Sequence, residues 1–201
     1  MHAEYCDRSY KWDHDFQKTK AYHILVFGNS YGRDWANILY EYDNNLDISY
    51  VYYNEKNLKD RRKRIDNADF VFYAMGPRYG EVPELIKKTI PEEKLYIIGN
   101  KNYGESNGII YAKKNSREYF NQTIIVPSEL VNENMREAKN WGNRYIDMMA
   151  PVTDADGHIH VFTDDNKFIS QDCMHLTVFG AKFYARVLDI GKLLKKTVRW
   201  K

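Results

Sequence analysis

Residues 23–42 read His23-Ile24-Leu25-Val26-Phe27-Gly28-Asn29-Ser30-Tyr31-Gly32-Arg33-Asp34-Trp35-Ala36-Asn37-Ile38-Leu39-Tyr40-Glu41-Tyr42. The apolar run after His23 stops at Gly28. Short runs of this kind form strands buried on both faces, which is the environment of a parallel sheet. Beyond the turn, Trp35, Ile38, Leu39 and Tyr42 recur at the spacing of one helix face, and a helix is expected over Asp34–Tyr42. A strand that hands over to a helix through a short turn is the first half of a βαβ unit.

The alternation continues along the chain. Ile48–Tyr53, Asp69–Met75 and Lys94–Gly99 read as strands, and Thr123–Val126 as a fifth. Helices are expected over Lys56–Asn67, over Pro83–Thr89 with proline in the first turn, over Ser116–Phe120, and over Ser128–Tyr145 running on to Met149. A last helix spans Thr177–Lys195, with Val178, Ala181, Tyr184, Ala185 and Leu188 on its apolar face. Strands alternating with helices at this pace indicate a three-layer α/β/α sandwich around a parallel five-stranded sheet. Residues 1–20 lack a clear period and read as an extended arm or lead-in to one domain over 21–201. Residues 153–168 hold two turn clusters, Asp154-Ala155-Asp156-Gly157 and Asp164-Asp165-Asn166, around His158–Phe162.

Composition narrows the function classes. The chain has 201 residues, 43% hydrophobic and 29% charged, with 30 basic against 28 acidic side chains. A net charge of +2 lacks the basic excess of a nucleic-acid binder. The run Lys59-Asp60-Arg61-Arg62-Lys63-Arg64 reads first as a solvated helix face, with contact to an anionic partner as the alternative. No stretch reaches the roughly 18–20 apolar residues of a membrane span. The N-terminus lacks the basic and apolar regions of a secretory signal. Cys6 and Cys173 are too few for a disulfide scaffold; they are either thiols or a single pair. The 17 tyrosines serve either as core and surface filler or as flat faces for a sugar.

Chemistry concentrates at two places. Gly28-Asn29-Ser30 lies where the first strand ends and the first helix begins. Sites in open α/β sheets form there, and free helix N–H groups favour an oxyanion. Alone, the turn more often describes a helix-capping serine. Near the other end stands Asp172-Cys173-Met174-His175-Leu176-Thr177. An Asp three residues before a His holds the imidazole from behind, fixes its tautomer and leaves the far nitrogen for a serine. Thr177 suits the cap of the following helix, and Cys173 is expected to point away from the site. His158 and His160 share one side of a strand, but no third ligand has a recognisable zinc spacing. Asp154-x-Asp156-Gly157 lacks the distal Glu of a calcium loop and reads as a turn.

Together the Gly-Asn-Ser turn and the Asp-x-x-His-Leu-Thr segment resemble blocks one and five of the SGNH (GDSL-like) hydrolase superfamily. The resemblance implies a flavodoxin-like fold with Ser30 as nucleophile, His175 as general base and acid, and Asp172 as its orienting partner. Asp7-Arg8-Ser9-Tyr10-Lys11, Gly28 through Asn37, Ile97 through Gly104, Ser106-Asn107-Gly108 and Phe168 through Asp172 are similar to the SGNH domains fused to acyltransferase-three type membrane proteins. Those proteins O-acetylate bacterial surface polysaccharides, lipopolysaccharide among them. The resemblance runs from about residue 5 to 190. It implies an acyl donor handed over by a membrane acyltransferase domain, a carbohydrate acceptor, and a location outside the cytoplasmic membrane. No metal and no organic cofactor is required. Asn29 stands where the family usually has Asp. Tyr53-Asn54-Glu55 lacks the second-block glycine, and Gly76-Pro77-Arg78-Tyr79 lacks the third-block Asn. The oxyanion donors are therefore open: the Ser30 N–H, Gly76 and Arg78, with Asn54 or Asn100 as further candidates. The same triad serves a carbohydrate acetyl esterase, and a non-catalytic carbohydrate- or partner-binding module is the rival from another class. A nucleotide or flavin binder lacks its Gly-rich or Walker loop here.

Overall fold

The computed structural model describes residues 2–19, 21–76, 81–104, 114–170 and 172–195. Five parallel strands form the central sheet: β1 (His23–Gly28), β2 (Asp47–Tyr52), β3 (Phe70–Ala74), β4 (Leu95–Ile98) and β6 (Tyr145–Ile146). Their order is β2-β1-β3-β4-β6. This is the flavodoxin-like order, in which the chain leaves β1 to one side and returns on the other. The crevice between the carboxyl ends of β1 and β3 is the switch point, and Gly28 lies there between Tyr52 and Ala74 in register.

Period-two alternation divides the strand residues between two cores. Ile24, Val26, Tyr50, Phe72 and Tyr96 face α2 (Ser30–Tyr42) and α7 (Val178–Val187), where Trp35, Ile38, Leu39, Ala181 and Tyr184 meet them. Leu25, Phe27, Val51, Val71 and Ile97 face α3 (Glu55–Asp60), α4 (Arg62–Asn67) and α5 (Glu84–Thr89) through Leu58, Ile65 and Ile86. Both faces are covered, as a parallel sheet requires.

Several elements differ from the sequence expectation. Thr123–Ile125 is not the fifth parallel strand. It forms β5, which pairs antiparallel with β7 (His158–His160) in a separate two-stranded sheet. Its outer residues are exposed and only Ile124 is buried, a pattern unlike a strand covered on both faces. The true fifth strand has only two residues, too short for any period to register. The helix expected to run on to Met149 is α6 (Ser128–Trp141); it ends at Gly142, whose φ of +55° is the left-handed turn glycine accepts at a helix end. Lys56–Asn67 divides into α3 and α4 at Arg61, and the last helix divides into α7 and α8 (Ile190–Lys195) where Leu188 turns extended. Ser116–Phe120 is represented by a 3-10 turn at Tyr119–Asn121.

The N-terminal segment is helical rather than extended, with α1 (His2–Asp7) running into a 3-10 turn at Arg8–Trp12. Arg8 fastens it to α2, donating to Asn37 Oδ1 at 2.8 Å and Glu41 Oε1 at 2.9 Å. The basic run supplies a second fastening. Arg64 is 8% exposed and binds Asp13, Asp15 and Ser49, while Arg61 binds Asp13. Only part of the run is the solvated face expected: Arg62 pairs with Asp66 in the open. No disulfide forms among the described residues. None of their helices is long and apolar enough to cross a membrane.

Candidate active site

The site begins at the end of β1. A Cβ on Gly28 would lie 2.2 Å from Ala74 O and 2.8 Å from Gly32 Cα, so only glycine lets β1, β3 and α2 meet here. The Tyr50 hydroxyl, at 2.9 Å from Asn29 O, holds the turn from the sheet side. Asn29 is the cap of α2, and its Oδ1 accepts the Tyr31 N–H at 3.0 Å. A neutral amide thus does the capping. Ser30 is the first helical residue and its hydroxyl is spared that task.

His175 arrives on the loop before α7. Thr177 caps that helix, its Oγ1 accepting the Gly180 N–H at 3.0 Å, as its place in the sequence suggested. His175 Nε2 lies 2.8 Å from Ser30 Oγ, and Nδ1 lies 2.5 Å from Asp172 Oδ2. Asp172 Oδ1 accepts the backbone N–H groups of Met174 at 2.7 Å and of His175 at 2.5 Å. Partial burial pushes the Asp172 carboxyl up. Hydrogen bonds from the His175 ring and from the His175 and Met174 backbone outweigh it, and the carboxyl is held well below the usual range. It is a carboxylate at neutral pH, so Nδ1 carries the proton and Nε2 offers its lone pair to the Ser30 O–H.

The loop is pinned from several sides. Ser170 Oγ lies 2.5 and 2.6 Å from the carbonyl oxygens of Asp172 and His175. The Tyr103 N–H donates to Cys173 O at 2.7 Å. The Leu176 N–H donates to Asp34 Oδ2 at 3.0 Å, and the same oxygen pairs with Lys101 Nζ at 2.9 Å; Asp34 and Lys101 are each 2% exposed. The Lys101 ammonium sits 4.1 Å from the centroid of the Tyr31 ring, which meets the His175 imidazole edge-on at 6.4 Å. Tyr31, Asp34 and Lys101 were missed in the sequence reading. The one available signal was Asp34, an acid one turn from Ser30 on a face otherwise bound for the core.

The remaining candidates separate. Gly76 comes to the site, since a Cβ there would lie 2.8 Å from the Tyr31 ring. The Asn54 side chain caps α3, its Oδ1 accepting the Asn57 N–H at 2.8 Å. Asn100 is buried at the end of β4, and its Nδ2 donates to Glu133 Oε1 at 3.0 Å. Arg78 and the Ser106-Asn107-Gly108 motif lie outside the described residues. His158 and His160 stand on β7 with no metal-binding cluster around them among the described residues. Asp154 Oδ1 instead accepts the N–H groups of Asp156 and His158, closing the expected turn at Gly157, φ +81°. A cavity of about 440 Å³ between Trp35, Tyr96 and Leu193 has no triad residue in its walls. The triad itself reaches solvent, with the His175 side chain 30% and the Asp172 side chain 41% exposed.

No family model and no curated protein matches the chain. Among solved structures it is similar to the periplasmic domain of a lipopolysaccharide acetyltransferase from Salmonella ser. Paratyphi A, with a TM-score of 0.62 and 15% identity. The match covers 94% of this chain and 97% of that one. The likeness shows a shared fold over nearly the whole of both chains.

Proposed function

We propose that this chain is a serine-dependent O-acyltransferase that acetylates a sugar hydroxyl of a bacterial surface polysaccharide through an acyl-Ser30 intermediate. The observation that carries this reading is the 2.8 Å contact between His175 Nε2 and Ser30 Oγ, with the Asp172 carboxylate behind the ring. Nε2 takes the hydroxyl proton as Oγ attacks the donor's acyl carbon. The carbonyl oxygen becomes an oxyanion beside the Ser30 N–H at the start of α2, with Gly76 as a second donor. Collapse releases the donor's alcohol or thiol, which takes the proton from Nε2. In the second half the sugar hydroxyl gives its proton to Nε2, attacks the acyl-serine and departs as the ester, and Oγ recovers the proton.

The shared fold with a lipopolysaccharide acetyltransferase periplasmic domain supports a carbohydrate acceptor and a place outside the cytoplasmic membrane; a membrane acyltransferase domain as source of the acyl group is what the motif resemblance implies. The exposure of the triad favours a second reading, a carbohydrate acetyl esterase in which water takes the acceptor's place. Hydrolysis of p-nitrophenyl acetate by the wild type and by Ser30→Ala tests the shared first half. The wild type is expected to gain an acetyl mass on Ser30 and to turn over; equal rates in both proteins would overturn both readings. Candidate oligosaccharides then separate the two, since release of free acetate alone, with no acetylated sugar, tells against transfer.

A further inference from the structure

We propose that Asp34 and Lys101 are positioning residues: a buried ion pair that sets the distance between Ser30 and His175. The inference rests on the Ser30–His175 reading above and adds what fixes its geometry. Asp34 is four residues beyond Ser30 on α2, so it lies one turn along the same helix face. Its Oδ2 accepts the N–H of Leu176, the residue after His175, at 3.0 Å. One end of the Ser30–His175 contact is therefore attached to α2 directly, and the other end is attached to the same helix through Asp34. The nucleophile and its base share one rigid support.

Lys101 completes the device from the loop that follows β4. Its ammonium holds Asp34 Oδ2 at 2.9 Å, and its contact with the Tyr31 ring keeps that ring against the imidazole. The Tyr31 hydroxyl lies 3.4 Å from the Lys101 carbonyl, and Gly76 leaves the space the ring occupies. Arg33 also faces Asp34, with Nη2 at 3.4 Å from Oδ1. Both members of the Asp34–Lys101 pair are 2% exposed. Burying two ions costs most of their hydration, and well-packed apolar residues commonly serve stability as well. An apolar pair, however, could not accept the Leu176 N–H. The demand that an ionic pair meets here is geometric.

The test compares two double variants on p-nitrophenyl acetate. Asp34→Leu with Lys101→Met removes both charges together and removes the acceptor for Leu176. Asp34→Asn with Lys101→Met removes the charges but keeps a side-chain oxygen for that N–H. The first is expected to lose about 30- to 100-fold in kcat with KM within about threefold, because small misplacements of reacting groups cost this much. The second is expected to recover most of the loss. The proton on His175 Nδ1, followed by NMR, should broaden in the first variant and stay sharp in the second, a readout that altered stability alone would not move. A folded Asp34→Leu/Lys101→Met protein with kcat within threefold of wild type overturns the proposal, as does an Asp34→Asn/Lys101→Met protein equally impaired. If the leucine variant does not fold, Asp34→Ala with Lys101→Met, which leaves a void rather than a clash, takes its place. A wild type whose turnover does not depend on Ser30 would sink the functional reading instead, and the Nδ1 proton spectra would still decide the positioning role.

Discussion

Replacing Asp172 by Asn tests the proton-handling argument at its most exposed step. Asp172 does two jobs with two oxygens: Oδ2 faces His175 Nδ1, and Oδ1 accepts the N–H groups of Met174 and His175. An Asn side chain has one acceptor and one donor end. If its oxygen stays with the two backbone donors, its NH2 faces Nδ1 and forces that nitrogen to accept. The ring proton then moves to Nε2, which can no longer take a proton from Ser30. If the amide turns over, its NH2 meets two N–H groups and the loop loses its anchor. The first arrangement keeps the loop, so the variant should fold and fail in chemistry. The same tautomer error in a Ser-His-Asp protease costs about ten-thousandfold in kcat. A loss of about a thousandfold to ten-thousandfold, or about 4–5.5 kcal/mol of barrier, is expected here. KM for p-nitrophenyl acetate should change little, because Asp172 touches the imidazole and not the ester. The assay is turnover at neutral pH with the circular-dichroism spectrum and melting curve recorded beside it. A folded Asp172→Asn protein that keeps more than a tenth of wild-type kcat would refute the argument that Asp172 sets the tautomer.

Two further predictions concern what holds the site in place. Gly28→Ala would put a methyl group against two backbone atoms that cannot rotate aside, Ala74 O and Gly32 Cα; a loss of about 3 kcal/mol is expected in urea unfolding, and an unchanged midpoint would refute it. The N-terminal fastening should depend on pH. Burial pushes the Asp13 carboxyl up, but hydrogen bonds from Arg61 and Arg64 outweigh it and hold it below its ordinary value. A depressed carboxyl stabilises the attached state above the unfolded value of about 3.9, and that contribution is lost as pH falls through the folded value. Hydrogen exchange in residues 4–19 should be slow at pH 6 and, corrected for intrinsic rate, accelerate below about pH 4. Arg64→Met should release the segment already at pH 6. Equal protection at pH 3 and pH 6 would count against the fastening.

How much was legible depended on what kind of signal each feature leaves. Ile24–Phe27 and Phe70–Ala74 are apolar runs long enough to declare a doubly covered strand, and the parallel sheet followed from them. Tyr145–Ile146 has two residues and declares nothing, so the fifth place went to Thr123–Val126, whose alternating burial belongs to a small antiparallel sheet. Helix breaks at Arg61 and Leu188 have neither Gly nor Pro to mark them. At Arg61 the cause is long-range, since Arg61 and Arg64 turn toward Asp13, some 50 residues earlier. The meeting of Ser30, His175 and Asp172 was legible because side-chain identity and two short motifs mark it, although those motifs stand 145 positions apart at Ser30 and His175. The oxyanion donors were not, because a backbone N–H is offered by every residue except proline and only geometry selects one. Lys101 was invisible for a related reason. A lysine reads as a surface residue until something places an acid and an aromatic ring around it.

The division of labour around Ser30 also bears on where specificity lies. In the proposed reaction the first half requires Ser30, His175, Asp172 and an oxyanion site, which the turn after β1, the loop before α7 and Gly76 beyond β3 would supply. Nothing in that set distinguishes a sugar hydroxyl from water. The triad is partly open to solvent, so an acyl-serine formed there is reachable by water unless a better-placed acceptor reacts first. A hydroxyl held in line with the acyl carbon has an effective concentration of about 10⁵ M or more, which exceeds bulk water by orders of magnitude. Transfer can therefore dominate in an open site, provided that the acceptor is bound and oriented. It follows that substitutions in the triad or in the Asp34–Lys101 pair should lower transfer and hydrolysis together. Substitutions that weaken only acceptor binding should divert acyl groups to water at an unchanged rate of Ser30 acylation. The ratio of acetylated sugar to free acetate reports on the acceptor surface, and the rate of Ser30 acylation reports on the machinery built on α2.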